Sequence, residues 1–232
     1  MHIQRINAIF EKDLKDFMKN MMLLTLPLIP VVLALLYTRM GEGNEAFPVF
    51  LLYIIVGTTY SAVTSSSMMT MMAEENEKKT LRGLIQSPAT MMDVIIGKSL
   101  VTGLITFIAL AVSLVIVDIE PFLNFRVILG LILLFLFFLL LGIGIGLFTK
   151  SIAATSVYLM PVMFLFGFTP MFEMLGLNED SIALKVADAL PIMQAIEIHH
   201  TTSWIPLGII AVWVVGAALF MYVCFKKTMT DE

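Results

Sequence analysis

Charged and apolar positions fall in blocks along this chain. No charged side chain occurs over 47–72, many crowd into 73–98, and none appears again over 99–117. Six apolar blocks, 21–37, 47–73, 89–117, 127–148, 152–174 and 204–225, each approach the roughly 20 residues a helix needs to cross a bilayer. They are apolar on every face, so the alternation of a membrane strand is missing and helices are the predicted spanning elements. The second and third blocks exceed the minimum, which predicts tilt or projection into water. Pro27 and Pro30 in the first block, and Pro161 and Pro170 in the fifth, predict kinks or helix ends.

Three other stretches have patterns of their own. Over 1–20, Ile6, Ile9, Phe10, Leu14, Phe17 and Met18 gather near one helical face, with Arg5, Glu11, Lys12, Lys15 and Lys19 mostly opposite. This periodicity predicts an amphipathic helix lying in the membrane interface. The stretch 175–203 is too apolar for a free loop and predicts short re-entrant helices between the fifth and sixth spans, on the external side. The island at 74–88 opens with Glu74, Glu75 and Glu77 and continues with Lys78, Lys79 and Arg82, an order that suits a helix dipole. Leu81, Leu84 and Ile85 add a short apolar stripe, so a docking helix in the cytoplasm is expected there. Ser87 and Pro88 have the chemistry to start the next helix.

Composition sets the class. Of the 232 residues 59% are hydrophobic and 14% charged, and the mean hydropathy is +0.96, against about 25% charged in an ordinary soluble domain. The chain is therefore expected to be one all-α integral membrane domain over 1–232. A net charge of -4 points to no nucleic-acid partner, and the single Cys224 excludes an intrachain disulfide. The first twenty residues lack the apolar core of a secretory leader, so the N-terminus is expected to be retained. Placing both termini and the island in the cytoplasm puts eleven of the fourteen basic residues inside. Only Arg39, Arg126 and Lys185 lie outside, a strong positive-inside bias.

Candidate chemistry is sparse. The spans hold no mid-membrane carboxylate or histidine of the kind that binds a coupling ion; Asp93, Lys98 and Glu173 sit near ends. Any uphill transport must then draw its energy from another polypeptide. The stretch 144–151 approaches a phosphate-binding loop, but Thr149 replaces its second glycine and no strand precedes it. Gly142 and Gly146 there read better as a GxxxG face for close helix approach. Met68, Met69, Met71, Met72, Met91 and Met92 could in principle bind Cu(I), and equally suit an adaptable apolar surface. His199 and His200 point about 100° apart on a helix and make a poor shared metal site. Glu74, Glu75 and Lys79 are similar to the EExxxR box of membrane-embedded CAAX-type proteases, with lysine where arginine belongs and no histidine-bearing spans beside them.

The island also resembles the most recognisable stretch of the permease subunits of type 2 ABC exporters. Glu75, Glu77, Thr80, Leu81, Leu84, Pro88, Gly97 and Lys98 match that pattern, while Asn76 and Lys79 depart from its usual basic residue and glycine. Gly167 to Glu173 is similar to the family's segment at the end of the fifth span, and Leu190 to Glu197 to its external helix. The resemblance implies a permease in the cell membrane without its own ATPase site. A second permease, identical or related, and two cytoplasmic ATPase subunits that bind ATP and Mg would complete the complex. The coupling contact would fall on Glu75, Glu77, Thr80, Leu81, Leu84 and Ile85, with a minor contact at 149–151. Phe135, Phe138, Phe164, Phe166 and Phe168 are candidates for the path of an amphipathic or hydrophobic substrate: a drug, an antimicrobial peptide or a lipid-like molecule. An immunity or sensing complex that binds an antimicrobial peptide without exporting it is the alternative.

Overall fold

A computed structural model describes residues 3–40, 47–78, 90–175 and 182–230. Among these the regular elements are all helical. Helix α1 (Ile3–Lys19) is followed by α2 (Met21–Met40), α3 (Val49–Glu77), α4 (Met91–Val117) and α5 (Phe125–Phe148). Then come α6 (Ile152–Gly167), the short α7 (Ile182–Asp188) and α8 (Pro191–His200), and finally α9 (Ile205–Thr230). Among the described residues five helices, α2, α3, α4, α5 and α9, are long and apolar enough to cross a membrane. The fifth apolar block is shorter as a helix than its hydropathy suggests. Pro161 stands inside α6, the helix closes in a π turn at Met163–Gly167, and a 3-10 helix, Thr169–Leu175, takes the chain onward. Proline lacks the amide that would bond one turn back, which loosens the helix at this point.

Helix α3 is the axis of the fold. Every residue over 52–73 is buried, with α2, α4, α5, α6 and α8 packed around it. Small and hydroxyl-bearing residues run along it, and such residues let neighbouring membrane helices approach closely. Its middle, Thr59–Ser65, is a π segment rich in hydroxyls. Thr58, Thr59 and Ser61 donate to the carbonyls of Ile54, Ile55 and Gly57, which satisfies their side chains within the helix. Ser65 instead donates to the Phe138 carbonyl of α5 at 2.7 Å, and Thr64 meets Thr106 of α4 at 2.9 Å.

Close approach between α3 and α5 depends on the predicted GxxxG face. A Cβ on Gly142 would lie 2.9 Å from the Ser65 carbonyl oxygen, and one on Gly146 would lie 2.6 Å from Met72 Cβ. Gly144 faces the other way, toward Phe220 of α9. Alternate glycines thus let α5 sit between two helices at once. At the far end Gly57 of α3 meets the backbone of Gly167.

Caps fix the ends. Asn20 closes α1 and caps α2, its side chain accepting from the Met22 and Leu23 amides. Thr90 and Asp93 form a reciprocal capping box at the start of α4, while Ser87 and Pro88 lie outside the described residues. Ser151 caps α6 as its position predicts. In the stretch 175–203, α8 buries Ile192, Met193, Ala195, Ile196 and Ile198. The two histidines diverge: Tyr53 Oη lies 3.1 Å from Nε2 of half-buried His199, and His200 is exposed. Burial, assisted by neighbouring His200, pushes the His199 imidazole below its ordinary pKa.

Gly146→Leu should destabilise the protein by about 1–3 kcal/mol, because the added side chain collides with α3 backbone as well as side chains. Gly216→Leu on α9, where an added Cβ would meet nothing within 4 Å, should change stability by less than about 0.5 kcal/mol. Thermal unfolding in detergent compares the two.

Candidate functional site

The charged island and its surroundings come together where α1, α3 and α4 meet. Helix α1 lies against α4, where Gly97 admits Ile9: a Cβ there would stand 2.6 Å from Ile9 Cγ2. That contact turns Asp13 of α1 inward, toward Glu75 at the end of α3 and Lys98 about two turns inside α4. Lys98 Nζ lies 3.0 Å from Glu75 Oε1 and 3.2 Å from Asp13 Oδ2. Lys12 Nζ lies 3.5 Å from Glu75 Oε1 and 3.4 Å from Asp13 Oδ1. The four groups close a ring of alternating charge with no net charge. Lys98 and Asp13 are each 3% exposed and Glu75 is 6% exposed.

Lys12 differs because its side chain remains half exposed at the edge of a cleft of about 650 Å³ between α1, α2 and α3. Burial opposes its charge, but the carboxylates of Asp13 and Glu75 outweigh that effect and raise its pKa above the ordinary 10.5. The buried members could not remain ionised singly, since desolvation costs several kcal/mol per ion. Together they join three helices at the point where the chain leaves α3.

The next two residues reach in another direction. Asn76 Nδ2 lies 3.1–3.2 Å from the carbonyl oxygens of Gly146, Leu147 and Thr149. These carbonyls end α5 and would otherwise lack helical partners. Glu77 Oε2 accepts from the Ile152 amide at 2.8 Å, at the start of α6. The last turn of α3 therefore binds α1 and α4 through Glu75, and the α5–α6 turn through Asn76 and Glu77. Glu74 pairs with Lys78 along the exposed side.

Residues 74–77 are thus the continuous end of the long α3 helix. Of the predicted coupling residues, Glu75 and Glu77 are engaged within the protein. Thr80, Leu81, Leu84 and Ile85 lie outside the described residues. Asn76 reads in the sequence as a departure from a pattern, and its three carbonyl partners could be found only by bringing the α5 end alongside it.

A family model described as ABC-2 family transporter protein matches residues 4–225. The chain belongs to the ABC-2 transporter family. It is a multi-pass membrane permease, the kind of subunit that works with a separate ATPase. Comparison with curated proteins finds no match.

The five phenylalanines suggested for a substrate path in this ABC-2 permease occupy different places. Phe138 is fully buried beside Phe137 and Tyr60, and Phe166 packs on Phe137 and Trp213. Phe135 lines an apolar groove between α4 and α5. Phe164 is 59% exposed and stacks edge-on with Phe168. Of the methionines, Met68, Met69, Met71 and Met72 are buried around α3, and the sulfurs of Met68 and Met71 lie 3.8 and 3.9 Å from the Thr102 hydroxyl; the Met91 side chain lies outside those described. Met92 is exposed.

Lys98→Met leaves two buried carboxylates short of a partner and should cost about 3–5 kcal/mol. Lys98→Met combined with Glu75→Gln should recover part of that loss, giving a non-zero coupling energy in denaturant unfolding of the purified permease. Lys12 makes a separate, pH-dependent contribution. Because its pKa is raised in the folded state, that contribution is complete below pH 10.5 and is lost as pH rises through the higher folded value. Lys12→Met should remove this alkaline loss, read as the pH dependence of unfolding.

Proposed function

We propose that this permease is the membrane half of an ATP-driven exporter that moves an amphipathic or hydrophobic substrate out of the cytoplasm. Two copies, or one copy and a related chain, would each rest on an ATPase subunit that binds ATP and Mg. In this reading the complex sits in the cell membrane with both termini and the 74–88 segment in the cytoplasm. The amphipathic α1 then lies at the inner membrane surface.

The observation that carries the reading is the arrangement at the end of α3. The segment 79–89 begins directly after a helical turn bonded to four other helices, so a push on that segment reaches α1, α4, α5 and α6 together. Leu81, Leu84 and Ile85 supply the apolar contact to the ATPase, with Thr80 as a polar member of the same segment. Glu75 and Glu77 transmit the movement from inside. The enclosed α3, with a π segment at its middle, is the element that shifts between inward and outward exposure.

Leu81→Asp should abolish copurification with the ATPase subunit while membrane insertion and the unfolding profile of the permease stay unchanged. Unchanged copurification would remove the docking role. With the wild-type complex in sealed inside-out vesicles, ATP-dependent accumulation of substrate is expected. Tight binding without accumulation would favour peptide capture over export. Asn76→Leu should retain ATPase binding and hydrolysis but lower transport several-fold, because the α5–α6 turn no longer follows α3.

A further inference from the structure

Helices α4 and α5 are consecutive in the chain yet diverge, leaving a groove of about 490 Å³ on their outer flank. Its walls are Gly103, Phe107, Leu110 and Leu114 of α4 and Ile128 and Phe135 of α5, and its floor is Tyr60 of α3 with Thr106. The only hydroxyls in this lining are already used. Tyr60 donates to the Leu131 carbonyl at 3.0 Å, and Thr106 shares a hydrogen bond with Thr64. The groove therefore offers a ligand apolar contact and no polar recognition.

Dimensions select the occupant. The volume falls within the roughly 300–1,000 Å³ of small-ligand sites. Along α4 the groove runs from Gly103 to Leu114, roughly 16 Å at 1.5 Å per residue. That is close to one leaflet, about half of the 30 Å hydrocarbon core. One end reaches Ile119 and Leu123, in the turn that closes α4 at the membrane edge, and the other ends near the middle of the span. The exposed rim at Phe107, Ile128 and Ile132 opens sideways.

We propose that this groove binds one acyl chain of a bilayer phospholipid, from the leaflet on the side of the 118–124 turn. The chain lies against Tyr60 and Thr106, so the bound lipid touches the π segment of α3 through the groove floor. This inference requires only that α4 and α5 span the membrane and does not depend on the direction of transport.

The test uses the full-length permease reconstituted in phosphatidylcholine vesicles with a trace of phosphatidylcholine carrying a photoreactive diazirine on one acyl chain. After illumination, labelled peptides are mapped by mass spectrometry. The exposed face of α9 at Val212, Val215 and Leu219 serves as the reference for ordinary lipid contact. Peptides containing Gly103 to Leu114 and Leu131 to Phe135 should label above that reference and saturate at low probe fraction. Gly103→Trp and Ala111→Trp each fill the groove and should reduce its labelling to the reference level, with α9 labelling unchanged. Groove labelling at or below the α9 level in the wild-type protein overturns the proposal, including the case in which another protein covers the groove. Labelling unaffected by either variant in a monodisperse preparation also overturns it. The wild-type comparison decides the matter if a variant fails to fold.

Discussion

An ammonium group taken out of water must find negative charge close by, and Lys98 meets that requirement by drawing in Asp13 and Glu75. Much of the architecture near this end of the molecule follows. Helix α1 has to lie across α4 so that Asp13 reaches Lys98, and Gly97 provides the space. Helix α3 has to continue through Glu75, beyond its last apolar residue, so that the carboxylate arrives at the same point. Lys12 then balances the second carboxylate, leaving a neutral ring.

The same turn of α3 organises its other neighbours by hydrogen bonds to backbone ends. A helix terminus has donors or acceptors without partners, and Asn76 and Glu77 supply partners at the end of α5 and the start of α6. Further along, α3 relies on small side chains and on glycines across the interface. Its hydroxyls satisfy themselves inside the π segment or bond to α4 and α5. The axis is thus tied firmly at one end, while its middle departs from regular α geometry.

The overall class was legible in the chain because hydropathy blocks are long and interfaces with water are charged. The glycine face at Gly142 and Gly146 was also readable, since its i,i+4 spacing has a direct meaning on one helix. Tertiary partnerships were less accessible. Lys98 reads in the sequence as a basic residue near a span end that matches a family pattern, and only the crossing of α1 over α4 shows that it is buried. Asn76 looked like a mismatch for the equivalent reason: its partners come from another helix. For the phenylalanines, composition identified apolar side chains but could not say which faced core, groove or lipid, because α5 and α6 are apolar all round. The interruption of the fifth block at Gly167 was signalled by Pro161 and Pro170, although hydropathy alone extended it.

Unequal exposure within the ring of charges has a consequence for how the protein responds to its medium. Mobile ions weaken attraction between groups in water over a Debye length of about 8 Å at physiological ionic strength, but penetrate little between buried partners. The pairs made by Lys98 therefore keep their strength as electrolyte concentration changes, whereas the exposed Glu74–Lys78 pair on the same helical turn loosens. The junction is insulated from changes in ionic strength on its inner side and responsive to them on its outer side.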